Sequence, residues 1–249
     1  MIMLYFSATG NSKYIAELFC RNMDAGCHSI EDEIDFGSLI DSVEIVGFCY
    51  PVFGSRVPRL MREFAVKHRE SLKNKKLIIF CTQMGFSGDG ARVFTDIFPR
   101  GFAEVIYAEH FFMPNNVCNL FLLPLSSEKW TQRYLVMSHK KMEVVCANIK
   151  KGVIKRRGFN PVSRGLGLIQ GAFLPGIEKR ATGKVWIDSD CMQCCLCVSS
   201  CPMSNFKSEN GKVTTNNNCM MCYRCINNCP QKAIAVFFRS KIKKQYIGI

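Results

Sequence analysis

Eight of the fifteen cysteines carry the densest chemistry in this sequence. They form two copies of one spacing, Cys191-x2-Cys194-x2-Cys197-x3-Cys201-Pro202 and Cys219-x2-Cys222-x2-Cys225-x3-Cys229-Pro230, offset by 28 residues. Thiolates are soft ligands that suit zinc and iron–sulfur clusters. Three thiolates on a short loop can wrap one face of an iron–sulfur cubane, and the fourth iron is then out of that loop's reach. A Cys from the other copy can reach it, so the two halves lock each other. Structural zinc also takes four thiolates per ion, but its ligands usually arrive as separated pairs. Pro202 and Pro230 end each loop by fixing φ and removing a backbone donor. Cys195 lies inside the first copy and fits no ligand register. It reads as a non-ligand, with a swap for Cys194 as the alternative.

A second constellation opens the chain. The apolar run MIMLYF reads as a short buried strand, followed by Ser7-Ala8-Thr9-Gly10-Asn11-Ser12 and a helix from Lys13 to about Asn22. Backbone N–H groups and hydroxyls at a helix N-terminus favour an anion such as phosphate. Gly10 lets the backbone approach closely. The loop has neither the Gly-Lys-Ser/Thr of an NTPase phosphate loop nor the G-x-G-x-x-G dinucleotide fingerprint.

These residues must be held by strands and helices, and the chain supplies both in alternation. Strands are expected at about Val43–Tyr50, Leu77–Thr82 and Ala103–Glu109, with a weaker one near Cys27–Ile30. Helices are expected at about Val57–Arg69 and Gly90–Phe98, and a long one over Ser126–Ile154. Near-continuous apolar strands alternating with helices predict an α/β fold with a doubly wound parallel sheet. Ligands of such sheets sit beyond the carboxyl ends of the strands. Three loops occupy that edge: Ser7–Ser12, Pro51–Arg56 and Gln83–Asp89.

Both constellations have family counterparts. The stretch from about Gly183 to Phe238 resembles a two-cluster bacterial ferredoxin. That resemblance implies one 4Fe–4S cluster on Cys191, Cys194, Cys197 and Cys229, and a second on Cys219, Cys222, Cys225 and Cys201. The N-terminal part resembles flavodoxin. This implies that Ser7, Thr9, Gly10, Asn11 and Ser12 bind the phosphate of FMN. The loops with Pro51, Val52, Phe53 and Gly54, and with Gln83, Gly85, Phe86 and Gly88, would hold its ring. By the same analogy Gly54 and Gly85 would contact the flavin edge. The order of the two parts resembles a family of bacterial and archaeal flavodoxin–ferredoxin fusions. The expected domains are 1–158 (flavodoxin-like), 159–183 (a Gly- and Pro-bearing linker) and 184–249 (a small α+β ferredoxin-like domain with a basic tail).

Charge and cysteine usage bound the rest. Net charge is +13, with 12 Lys/Arg against 14 Asp/Glu in residues 1–110 and 21 against 6 in residues 111–249. The basic half suits an acidic redox partner, anionic lipid or a merely solvated face. Lys150–Arg157 has no interleaved aromatics and no nucleic-acid motif, so no nucleic acid is expected. The odd cysteine count and the absence of a leader pattern suit reduced thiols in the cytoplasm. No transmembrane segment is expected, and peripheral membrane contact stays open. The cysteines outside the register (Cys20, Cys27, Cys49, Cys81, Cys118 and Cys146 with Cys195) read as small buried hydrophobes. His28, His68, His110 and His139 fall in different elements, and no acid–base set emerges. The expected function is electron relay between two clusters and FMN and on to a redox partner. The alternatives are an FMN-dependent reductase or oxidase of a small conjugated or quinone-like acceptor, and a redox or iron sensor.

Overall fold

The computed structural model describes all residues except 86–87, 120–123 and 237–238, together with the side chains of 173–181. Its first half runs β1 (Ile2–Tyr5), α1 (Asn11–Met23), β2 (Gly26–Ser29), α2 (Phe36–Asp41), β3 (Ile45–Pro51), α3 (Arg59–Lys67), α4 (Arg69–Leu72), β4 (Lys76–Gln83), α5 (Gly90–Thr95) and β5 (Glu104–Phe112). The long helix α6 (Glu128–Lys150) and a two-residue strand β6 (Lys155–Arg156) complete it.

All neighbouring strands pair in parallel in the order β2-β1-β3-β4-β5-β6. The order reverses between β1 and β3, which opens a crevice at their carboxyl ends. β3 and β4 are apolar on both faces because helices cover both. Phe36, Ile40, Met61, Phe64 and Phe94 pack on one face, and Ile15, Phe19, Met142 and Val145 on the other. The expected doubly wound sheet is therefore the observed one. α2 and the short edge strand β6 were not anticipated; each is too brief to show a period. β6 is pinned through Glu109, a buried carboxylate on β5 that accepts from Lys155 (2.9 Å) and Arg157 (3.1 Å). Burial opposes its ionisation, but the His110 N–H, Lys155 and Lys141 hold its carboxyl below the usual range.

The glycine-bearing joining segment is helical rather than irregular: α7 (Pro161–Thr182). It lies against the α/β layer through small residues. A Cβ on Gly167 would sit inside the Asp89 carboxylate. The Ser55 hydroxyl donates to Gln170 (2.5 Å), and the Arg56 guanidinium donates to the Gly171 carbonyl (2.8 and 3.2 Å).

Beyond α7 the chain repeats itself. β7 (Val185–Ile187), α8 (Leu196–Ser200) and β8 (Phe206–Glu209) are followed by β9 (Lys212–Thr215), α9 (Arg224–Asn228) and β10 (Ile234–Val236). β7 pairs with β10 and β8 with β9, both antiparallel. The registers correspond across the 28-residue offset: Ile234 faces Ile187 as Phe206 faces Thr215. Left-handed residues recur at the same offset in three pairs: Gln193 and Met221 (both φ 57°), Cys195 and Tyr223 (59° and 65°), Ser204 and Lys232 (47° and 52°). The cysteine spacing thus dictates one backbone twice, with outer strands shared between the copies.

Candidate functional site

The chain leaves β1, passes through Ser7–Gly10 and enters α1. Gly10 stands at φ +100°, where a side chain would be strained. Among the described residues no side chain caps α1. Its first N–H groups therefore remain available for an anion. The loop is set from several sides. Gly10 N–H donates to Ser7 Oγ (3.2 Å), Asn116 Nδ2 to Thr9 Oγ1 (3.1 Å), and Asn11 Nδ2 to the Pro114 carbonyl (2.8 Å). Ser12 Oγ is turned inward to Thr82 Oγ1 (2.7 Å).

A cavity of about 570 Å³ opens beside this loop. Ser7, Thr9, Asn11 and Ser12 line it, as do Pro51, Val52, Phe53 and Gly54, and Gln83 and Gly85. Gly54 (φ 51°) and Ser55 (φ 63°) form a left-handed turn closed by paired backbone bonds between Phe53 and Arg56, 3.1 Å each. Phe53 is half-buried: it packs partly on the core and partly faces the cavity. Gly88 takes no part in the lining and packs instead against Gly167 and Ser55. Phe86 lies outside the described residues. His110 is no lining residue either. It is buried beside Gly158, and burial, then the Arg157 charge, pushes its imidazole down to about 4.

The cavity fits FMN. It has an anion-ready loop at one end, mostly apolar walls and a few polar groups, as cofactor sites do. Gln83 Oε1 is buried with no hydrogen-bond partner among the described residues. It is an acceptor suited to a ring N–H.

Register cysteines of both copies come near one another. Cys191, Cys194, Cys197 and Cys229 line one small cavity, as do Cys195 and Cys225. Burial pushes the Cys197 thiol up to about 11, and the neighbouring Cys191, Cys229 and Cys194 add to this. Around Cys219, burial pushes Cys222 up to about 12 and raises Cys225 well above its ordinary value. The nearby Cys219 and Cys201 contribute to both. Backbone N–H groups reach three sulfurs at 3.3 Å: Met221 to Cys219, Asn205 to Cys201 and Ala233 to Cys229. Such N–H···S bonds are one of the ways a protein tunes a cluster. Among the described residues no three His, Cys, Asp or Glu side chains are gathered as donors of a single ion. Cys195 stands at the position that Tyr223 holds in the other copy, and its Sγ donates to the Gln193 carbonyl (3.4 Å).

The second cysteine run is built into the α/β half. Met220 and Cys222 belong to the core cluster beneath β1 and β3. Arg59 donates to the carbonyl (2.9 Å) and side chain (2.6 Å) of Asn218. Met221 and Tyr223 line the large cavity together with the phosphate loop. The sequence reading missed these two, along with Asn115, Asn116 and Gln170. The available signal was the contrast between the runs, Met-Tyr-Arg at 221, 223 and 224 against Gln-Cys-Leu at 193, 195 and 196.

A doubly wound sheet with an uncapped hydroxyl-bearing loop at its switch point defines a flavodoxin-like protein. The flavodoxin domain family matches residues 2–152, and the chain belongs to it. That family implies FMN and a role in electron transfer or oxidoreduction. Among solved structures the chain is similar to a flavodoxin from the domain Archaea, with 16% identity over 58% of this chain and 96% of that one and a TM-score of 0.39. It is also similar to oxidised Flavodoxin 2 from Bacillus cereus (14%, 59% and 97%, 0.41) and to the Trp repressor binding protein from Bacillus subtilis (13%, 56% and 96%, 0.41). No curated protein matches the chain. No helix among the described residues is long and apolar enough to cross a membrane.

Proposed function

We propose that the chain is an electron-transfer iron–sulfur flavoprotein of the flavodoxin–ferredoxin type. Its eight register cysteines hold two 4Fe–4S clusters and its cavity holds FMN. Electrons arrive at the exposed cysteine run, cross the buried run into the flavin cavity, and pass on to a redox partner. The observation that carries this reading is a shared wall. Met221 and Tyr223, interleaved with Cys219, Cys222 and Cys225, line the same cavity as Ser7, Thr9 and Gly54.

When bound, each cluster supplies one-electron chemistry and FMN one- or two-electron chemistry. The chain supplies position and environment. The Ser7–Ser12 loop holds the phosphate, and Gly10 gives it the turn it needs. Gln83 would offer its acceptor to the ring, and Pro51–Gly54 would help line the space that holds it. Met221 and Tyr223 keep water from the space between the cysteines and the cavity, which favours transfer inside the molecule.

The test is cofactor content after anaerobic purification. About eight irons per chain, the sum for two cubanes, and about one FMN are expected. Zinc in place of iron, or FAD in place of FMN, would refute the assignment. Steady reduction of a small quinone by the loaded protein, with no need of a protein partner, would favour the reductase reading instead.

A further inference from the structure

The two halves of the chain meet on Arg224. It follows Tyr223, whose left-handed backbone turns the chain out of the cysteine loop, and it opens α9 between Cys222 and Cys225. Its guanidinium reaches into the α/β half. Nη2 donates to the Ser7 carbonyl (2.9 Å) and Nε to the Ala8 carbonyl (3.2 Å). Nη1 donates to the Ser200 carbonyl (3.0 Å), and Glu31 accepts two bonds (2.7 and 2.5 Å). Arginine has five N–H donors. All five are engaged here.

The acceptors explain the arrangement. A loop that turns its N–H groups toward an anion must turn carbonyls away from it. The Ser7 and Ala8 carbonyls then need donors of their own, since a buried carbonyl without one costs stability. Arg224 is that donor, and its charge also lies beside Cys222 and Cys201 of the second set. The counterpart in the first run, Leu196, is 43% exposed and binds nothing comparable. The cysteine loop itself therefore does not demand an arginine at this position. Two further ties run alongside. Asn227 donates to the Asn116 carbonyl (2.9 Å), and the Tyr246 hydroxyl donates to Asn11 Oδ1 (2.6 Å).

We propose that Arg224 makes the two cofactor sites mutually dependent. With the second cysteine loop folded round its cluster, the guanidinium fixes the phosphate loop in its anion-binding shape. FMN in the cavity, by holding that loop, holds Arg224 and through it the cluster loop. The inference rests on the cluster and FMN assignment made above. Coupling of this kind is reciprocal by linkage.

The test uses full-length protein with clusters loaded anaerobically, as wild type, Arg224→Lys, Arg224→Met and Tyr246→Phe. The FMN dissociation constant is read from flavin fluorescence quenching, and iron loss to a ferrous chelator is timed with and without FMN. In wild type FMN should slow loss of the protected half of the iron about tenfold, within the usual range of coupling. Arg224→Met should bind FMN about tenfold more weakly and lose the protective effect of FMN, by the same linkage. Arg224→Lys keeps the charge with fewer donors and should fall between. Tyr246→Phe should keep the protection. Full protection in Arg224→Met, or none in wild type, overturns the proposal. If Arg224→Met does not fold, Arg224→Lys decides: wild-type affinity and protection there overturn it. Wild type that takes up neither about eight irons nor FMN overturns the cofactor assignment, and this inference with it.

Discussion

The two cysteine runs share one backbone and differ in nearly everything that touches it. In the first, Met192, Gln193, Cys194 and Leu196 are exposed. In the second, Met220, Cys222, Tyr223 and Cys225 are buried, Met220 and Cys222 in the core of the α/β half and Tyr223 and Cys225 in that of the C-terminal part. The same left-handed turns and the same exchanged strands serve both. The difference therefore lies in side chains alone: Gln193 becomes Met221, Cys195 becomes Tyr223, and Leu196 becomes Arg224. Each replacement turns an exposed or half-buried position into one that faces the flavin cavity or the phosphate loop. Under the proposed relay this asymmetry would give the electron module a direction, with an outer cluster site facing partners and an inner one facing the flavin cavity.

The sharpest way to break this comparison is to remove the runs one at a time. Under the proposed relay, Cys222→Ser/Cys225→Ser should slow cluster-driven flavin reduction about a hundredfold or more, as when a positioned reactant is lost, when measured with FMN in enough excess to keep its site filled. Cys191→Ser/Cys194→Ser should leave the inner site intact and slow flavin reduction less. Stopped-flow absorbance of the anaerobic proteins distinguishes them. Equal rates in both variants and wild type would show that electrons reach the flavin without the cysteines.

Exposure itself predicts the next effect. A chelator should strip about half the iron at least tenfold faster than the rest, because solvent-open regions react before sealed ones. Cys229→Ser should remove the fast half, since Cys229 lines the cavity of the outer set. One uniform rate would contradict the outward and inward assignment.

Much of this was legible in the residues, and the reasons are physical. Cysteine spacing fixes a local backbone, so it announces the repeated turns and paired strands of the C-terminal part. β1, β3 and β4 are nearly all apolar because both faces are covered, so period and length betray them. Ser7–Ser12 is legible because strand, glycine and helix follow directly in sequence. α7 was not, because its small residues Gly167 and Gly171 look like linker residues until Asp89 and Arg56 are seen filling the space they leave. Gly88 misled for the same reason. Tyr223 and Arg224 were invisible as site residues because the contacts that define them reach more than a hundred residues back along the chain.

A smaller effect compares equivalent positions. Tyr223→Ala removes a cavity wall and should weaken FMN binding about tenfold, a modest share of what a buried aromatic contributes. Cys195→Ala, at the equivalent place in the outer run, should leave FMN affinity unchanged. Flavin fluorescence quenching measures both. A Cys195 effect as large as that of Tyr223 would mean the two loops are not functionally distinct.

The smallest effect concerns charge. Residues 111–249 carry all of the net positive charge, but the cations next to the inner run are already engaged within the molecule, Arg224 with Glu31 and Arg59 with Asn218. Only the cations that remain at the surface can recruit an acidic partner. The bimolecular rate with such a partner should therefore fall about threefold to tenfold between low and physiological salt, where screening shortens to about 8 Å. The internal step from cysteine runs to flavin crosses buried contacts, which salt screens little, and its rate should stay flat over the same range. Following both rates in one salt series separates docking from transfer. A salt-dependent internal step would place water between the inner run and the cavity, and the seal attributed to Met221 and Tyr223 would fail.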